Sequence, residues 1–96
     1  MIVSIKFGAP LSVVVGQDKI VLSLQDGATV DDLLMELRKC YPDFEEGVRG
    51  KSLPKMWATP FYRMIVNSDM VPWDRSGFTS LHDGDHVYFM LPYDGG

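Results

Sequence analysis

Cysteine is almost absent: Cys40 is the only one in 96 residues. A lone cysteine closes no intramolecular disulfide. It also leaves too few thiolates for an iron–sulfur cluster or a Cys-rich zinc site. No apolar run approaches the roughly 18 residues of a membrane-spanning helix. The first residues, Met1-Ile2-Val3-Ser4-Ile5-Lys6, lack the basic, apolar and small-residue succession of a secretory leader. The expectation is a cytoplasmic protein with no membrane partner. Positive charge is in deficit, with nine Lys and Arg against thirteen Asp and Glu and a net charge of −4. Binding to nucleic acid needs a basic face that displaces counterions, so no nucleic-acid partner is expected. The acidity fits docking onto basic enzymes.

What remains is an ordinary globular composition, 46% hydrophobic and 23% charged, which argues against disorder and coiled coil. The length supports one domain over 1–96. A chain of this size buries roughly 60–65% of its unfolded surface, enough for one modest core.

Val3, Ile5 and Phe7 alternate with Ser4 and Lys6, the pattern of a half-buried strand. Gly8-Ala9-Pro10 breaks it, and apolar Leu11 to Val15 reads as a prolongation of one arm of a hairpin. Ile20, Leu22 and Leu24 alternate with Lys19, Ser23 and Gln25, which predicts a second, antiparallel strand. Thr29-Val30-Asp31-Asp32 then reads as a capping box, the Thr29 hydroxyl accepting from the backbone and Asp32 reaching back. Val30, Leu33, Leu34, Leu37 and Tyr41 keep helical spacing until Pro42. Residues 42–60 read as a long loop pinned to the body by Phe44, Val48, Leu53, Met56 and Trp57. Tyr62, Met64 and Val66 mark a third strand, Met70-Val71 a short extended piece, and Val87, Phe89 and Leu91 a last strand ended by Pro92. Segregated helix and hairpins predict an α+β fold rather than a doubly wound one.

The terminal Gly95-Gly96 is the unusual feature. At about 7% glycine, two at the end arise by chance in about one chain in 200. Without side chains, such a tail can thread a narrow channel and bring its carboxylate to ATP inside another enzyme. A frayed end of small residues is the plainer reading of the dipeptide alone.

Further matches accompany it. Gly27-Ala28-Thr29-Val30-Asp31-Asp32-Leu33-Leu34 opens the helix, and Val66-Asn67 closes the third strand. Leu81-His82-Asp83-Gly84-Asp85-His86-Val87 leads into the last strand, which ends four residues before the terminus. Phe7-Gly8 and Tyr41-Pro42 follow the first strand and the helix. In this order the set resembles the ubiquitin-like sulfur carriers, nearest to the small subunit of molybdopterin synthase and next to the thiamine-biosynthesis sulfur carrier. The resemblance covers nearly the whole chain outside residues 43–60. It implies a β-grasp fold, a mixed four- to five-stranded sheet wrapped on one main helix, with residues 92–96 as a flexible functional tail.

The resemblance also implies a role. A ubiquitin-type activating enzyme would adenylate the Gly96 carboxylate using ATP, and a sulfur donor would convert it to a thiocarboxylate. A synthase, such as the large subunit of molybdopterin synthase, would accept the sulfur in molybdenum cofactor biosynthesis. The carrier would be a cosubstrate rather than an enzyme, with no bound cofactor and no metal. Gly95, Asp94, Tyr93 and Pro92 would form the approach to the partner's channel, with Pro92 stiffening its base. Ordering the tail costs roughly 1 kcal/mol or more per residue, so the body must supply affinity. Phe89 and Tyr88 on the last strand are the candidate docking residues. Asp94 and Tyr93 depart from the small residues usual before the glycine pair, and Leu91 stands where a second proline is usual.

Two rival functions share the fold. A ubiquitin-like modifier would join the same activated tail to lysines, and a plain interaction module would leave Gly95-Gly96 incidental. His82, Asp83, Asp85 and His86 sit at a predicted turn, and strand-entrance polarity is preferred to a metal site. Cys40 at the helix end reads as a half-buried structural residue, because the helix dipole there disfavours thiolate. Trp57 and Trp73 read as loop anchors.

Overall fold

A computed structural model describes residues 1–9, 11–44 and 62–90. Alternation builds the sheet as predicted. Strand β1 (Ile2–Phe7) pairs antiparallel with β2 (Lys19–Ser23), Val3 lying opposite Leu22 and Ile5 opposite Ile20. β3 (Arg63–Val66), β4 (Asp69–Val71) and β5 (His86–Met90) complete five strands in the order β2-β1-β5-β3-β4. The central pair, β1 with β5, is parallel, and the other pairs are antiparallel.

One long helix closes the core. Helix α2 (Val30–Cys40), which follows the short α1 (Leu11–Val15), buries Val30, Leu33, Leu34 and Leu37. Its start is the predicted capping box. The Asp32 amide donates to Thr29 Oγ1 at 3.3 Å and the Thr29 amide donates to Asp32 Oδ2 at 2.9 Å. Val30 N–H donates to the Thr79 carbonyl and Leu81 N–H to the Ala28 carbonyl, each at 2.9 Å, which ties the helix entrance to the approach to β5. Leu33, Leu34 and Leu37 pack into one cluster with Val3, Ile5, Phe7, Met64, Val87 and Phe89 on the inner sheet face. Phe44 joins the cluster as a buried anchor.

One segment differs from expectation. Leu11–Val15 is helical rather than an extension of the hairpin. β-branched valines favour strands, but tertiary anchoring wins. Leu11 is fully buried and its amide donates to the Tyr62 hydroxyl at 2.8 Å, while Ser12 N–H reaches back to the Gly8 carbonyl at 3.3 Å. Val13 and Val14 are left exposed. The link after Pro72 is a 3-10 helix (Trp73–Phe78) whose Trp73 indole donates to the Tyr62 carbonyl at 2.8 Å, the anchoring role expected of that residue. The expected anchors Val48, Leu53, Met56 and Trp57 lie outside the described residues, as do Leu91 and the tail.

Candidate functional site

The last strand sets where the tail begins. β5 lies between β1 and β3, so its end at Met90 is held from both sides. Gly8 N–H donates to the Phe89 carbonyl at 2.7 Å. A Cβ on Gly8 would stand 3.1 Å from that carbonyl oxygen, a contact that would require β5 to give by a few tenths of an ångström, so the close approach favours glycine. Pro92, Tyr93, Asp94, Gly95 and Gly96 lie outside the described residues; their site is located here through its root.

At the other end of β5 a polar clasp fixes the strand entrance. Asp85 is buried, and its carboxylate accepts from Asn67 Nδ2 and from the His82 amide, both at 2.8 Å. Asn67 Oδ1 accepts from the His86 amide at 2.9 Å. Asn67 and Ser68 both have positive φ, 49° and 77°, the geometry of a type I′ turn joining β3 to β4. The His82–His86 segment is thus a strand entrance. Among the described residues no three His, Cys, Asp or Glu side chains come together to hold a metal ion.

The two docking candidates separate. Phe89 is fully buried, stacked on Phe7 at 5.9 Å and edge-on to Phe44 at 5.4 Å between ring centroids. It is a core residue and offers nothing to a partner. The register explains why: Phe89 lies opposite Phe7 and Met64, both buried. Tyr88, one residue earlier, points to the opposite, open face and is half-buried.

That open face has a pattern visible only once the strands are paired. Lys19, Lys6, Tyr88, Ile65 and Met70 form one row across all five strands. Lys6 Nζ stands 5.2 Å from the Tyr88 ring centroid. Arg63 and Met90 are paired beside the row, next to the tail root. No described strand presents a carboxylate on this face, although Asp18 borders a shallow depression of about 340 Å³ formed by Lys6, Lys19, His86 and Tyr88. The net acidity suggested docking onto basic enzymes, yet this face is basic around an apolar centre.

Cys40 is exposed rather than half-buried. Its Sγ lies 3.6 Å from Glu36 Oε1, one helical turn away. Local desolvation, that hydrogen bond and the Glu36 charge push the thiol up, and Lys39 opposes them. A raised pKa means less thiolate at neutral pH. Carbamidomethylation of Cys40 by iodoacetamide at pH 7.5 is therefore expected to be slower than that of a model thiol. Glu36→Gln removes the carboxylate charge and accelerates it; an unchanged rate would show that Glu36 does not govern this thiol.

Comparison with known proteins gives the following. The sequence matches the sequence model of the ThiS family over residues 5–96. No curated protein matches it. Among solved structures, the putative molybdopterin converting factor subunit 1 from Pyrococcus furiosus is 30% identical. It covers 96% of this chain and 98% of its own, with a TM-score of 0.74. The small archaeal modifier protein 1 from Methanosarcina acetivorans is 24% identical with a TM-score of 0.70, covering 99% of this chain and 96% of its own. Subunit 1 or 2 of the molybdopterin-converting factor from Helicobacter pylori, solved as a complex of the two, matches at 20% identity and TM-score 0.60 over the whole of both chains. The last two show the fold alone. With the mixed sheet curled on α2, they establish the β-grasp architecture.

Proposed function

The chain belongs to the ThiS family of ubiquitin-like sulfur carriers, and we propose that it carries sulfur as a thiocarboxylate on Gly96. The observation that supports this reading is that the family match runs through residue 96 and so takes in Gly95 and Gly96. A carboxylate oxygen of Gly96 attacks the α-phosphorus of ATP in a ubiquitin-type activating enzyme, and pyrophosphate leaves. A sulfur nucleophile at the oxidation level of sulfide, delivered by a sulfur donor, then displaces AMP. The product is a thiocarboxylate, and no electrons are exchanged. Transfer of the sulfur to an acceptor followed by hydrolysis restores the carboxylate. The ATP chemistry resides in the partner, and this chain is the cosubstrate.

The pathway reading is molybdopterin synthesis. Its support is the 30% identity to the Pyrococcus furiosus converting-factor subunit, together with the two-subunit Helicobacter pylori complex. A synthase large subunit is then the sulfur-accepting partner. Thiamine synthesis and lysine-linked modification use the same activated tail, and the likeness to the archaeal modifier keeps the second in view. Lysine-linked conjugates in cells would distinguish it.

The six residues beyond Met90 reach at most about 20 Å when extended, so the body must dock close to the activating centre. The open face around Tyr88 is the docking surface of this reading, with Lys6 and Arg63 meeting acidic groups of the partner. Tyr88→Ala is expected to raise the activating enzyme's KM for the carrier about tenfold while kcat stays near normal. Equal KM values for the two forms would remove Tyr88 from the interface.

The test of the chemistry is the intact mass of the protein from its native host, followed by incubation with ATP, sulfide and the host's activating enzymes. Replacement of one oxygen by sulfur, mapped to Gly96, is the expected result. A tail left untouched by that incubation overturns the reading.

A further inference from the structure

Strand β2 is an edge of the sheet, and among the described strands only β1 pairs with it. The phase of that pairing decides which amides it leaves outside. Met1 and Leu24 exchange both backbone hydrogen bonds, at 2.8 and 2.9 Å, and Phe7 N–H donates to the Asp18 carbonyl at 2.9 Å. In an antiparallel ladder the bonded pairs recur every second residue. The amides and carbonyls of Ile20 and Leu22 therefore turn to β1, and those of Lys19, Val21 and Ser23 turn outward. Val21 is 59% exposed, so the side-chain side of this edge is open as well.

Alongside the edge, on the helix side of the sheet, runs a groove of about 440 Å³ between the end of β2 and α2. Leu24, Ala28 and Met35 give it apolar wall, and Met35 is 60% exposed there. Asp26, Asp32 and Glu36 line it too, and no lining residue is basic. The groove is thus acidic where the open sheet face is basic.

We propose that the β2 edge and this groove form a peptide-docking site that takes an extended partner segment, with aliphatic residues alternating with Lys or Arg. Main-chain bonds to Lys19, Val21 and Ser23 would add the segment as a sixth strand. Alternate side chains of an added strand point to one face. The Lys or Arg residues are the ones directed to the helix side: their aliphatic stems cover Met35, Leu24 and Ala28 while their cationic ends meet the three carboxylates, and the intervening aliphatic residues lie on the other face beside exposed Val21. A second copy of this chain is a poorer occupant. Antiparallel β2-to-β2 pairing would set two α2 helices on the same face, with their Asp32 and Glu36 carboxylates facing each other. The site lies on the opposite side of the sheet from Tyr88, and β1 separates β2 from β5. A partner held here leaves the tail root free, and the proposal does not depend on the chemistry of Gly96.

The probe is a capped synthetic heptapeptide of alternating valine and arginine, titrated into the full chain and followed by amide NMR. Binding is expected to shift the Lys19, Val21 and Ser23 amide signals and slow their hydrogen exchange at least about tenfold. Glu36→Lys exchanges attraction for repulsion and should weaken binding about five- to tenfold. A peptide N-methylated at every residue has no main-chain donor on either edge and should not bind. Met35→Ala serves as a second variant, also weakening binding. The proposal is overturned by any of four results: no binding at millimolar peptide, shifts confined to the open face around Lys6 and Tyr88, indifference to N-methylation and Glu36→Lys, or β2 amides already protected in a dimer of the free chain.

Discussion

Deletion of Gly96 is expected to abolish thiocarboxylate formation while leaving the fold intact. The missing residue shortens an extended tail by about 3.5 Å. A misplacement of 1 Å at a reacting centre costs about a hundredfold in rate. The carboxylate of Gly95 would then lie well short of the α-phosphorus, and product should fall below about one per cent of normal. ATP–pyrophosphate exchange catalysed by the activating enzyme reads the first step directly, and intact mass reads the second. The described core lies between Val3 and Phe89. Thermal unfolding should therefore move by no more than a degree or two, as it does for most surface changes. Exchange at the normal rate without Gly96 would mean that the terminal residue is not the acceptor of AMP, and the carrier reading would fail with it. Loss of exchange together with a collapsed unfolding midpoint would instead place the terminal residue in the structure.

Parts of this arrangement are written locally and were legible for that reason. The Thr29 hydroxyl and the Asp32 carboxylate act three residues apart, so the capping box needs no knowledge of the rest of the chain. The alternation of Val3, Ile5 and Phe7 with Ser4 and Lys6 likewise names a buried face within one strand. Leu11–Val15 is the opposite case. Its helix hangs on Leu11 meeting Tyr62 across 51 residues, a contact that valine propensities do not encode. Alternation also said that Tyr88 and Phe89 face opposite ways, without saying which way was in. Pairing with Phe7 and Met64 decided it. The row from Lys19 to Met70 draws one residue from each strand, so it exists only after the order β2-β1-β5-β3-β4 is formed. The exposure of Cys40 had a weaker signal: it follows Leu37 by three positions, yet helix α2 turns its last three residues to solvent.

Because Tyr88 and Phe89 are neighbours with opposite surroundings, they separate docking from folding. Phe89→Ala is expected to cost about 3–5 kcal/mol, the range for truncating a buried aromatic ring. The ring stacks with Phe7, meets the edge of Phe44, and lies 6.2 Å from the Trp73 centroid, so its loss opens a hole where four aromatics converge. A chain of this length has a total stability on the order of 5–14 kcal/mol. The loss is thus about a fifth of the total or more, and the melting midpoint should fall by roughly 15–30 °C. Chemical denaturation should show a lower midpoint with an unchanged slope, because the surface exposed on unfolding is nearly the same. Tyr88→Ala removes a half-buried ring from a solvated face and should cost less than about 1 kcal/mol. Sulfur loading of the Phe89→Ala protein should then be poor when warm and recover in the cold, where enough of the chain folds. The Tyr88→Ala defect should persist at both temperatures, since the docking contact is missing from the folded state. Phe89→Leu, which fills more of the hole, should regain at least half of the lost stability and most of the loading. A Phe89→Ala protein that melts within a few degrees of the native one would contradict the closed aromatic cluster. It would also return Phe89 to the surface as a docking residue.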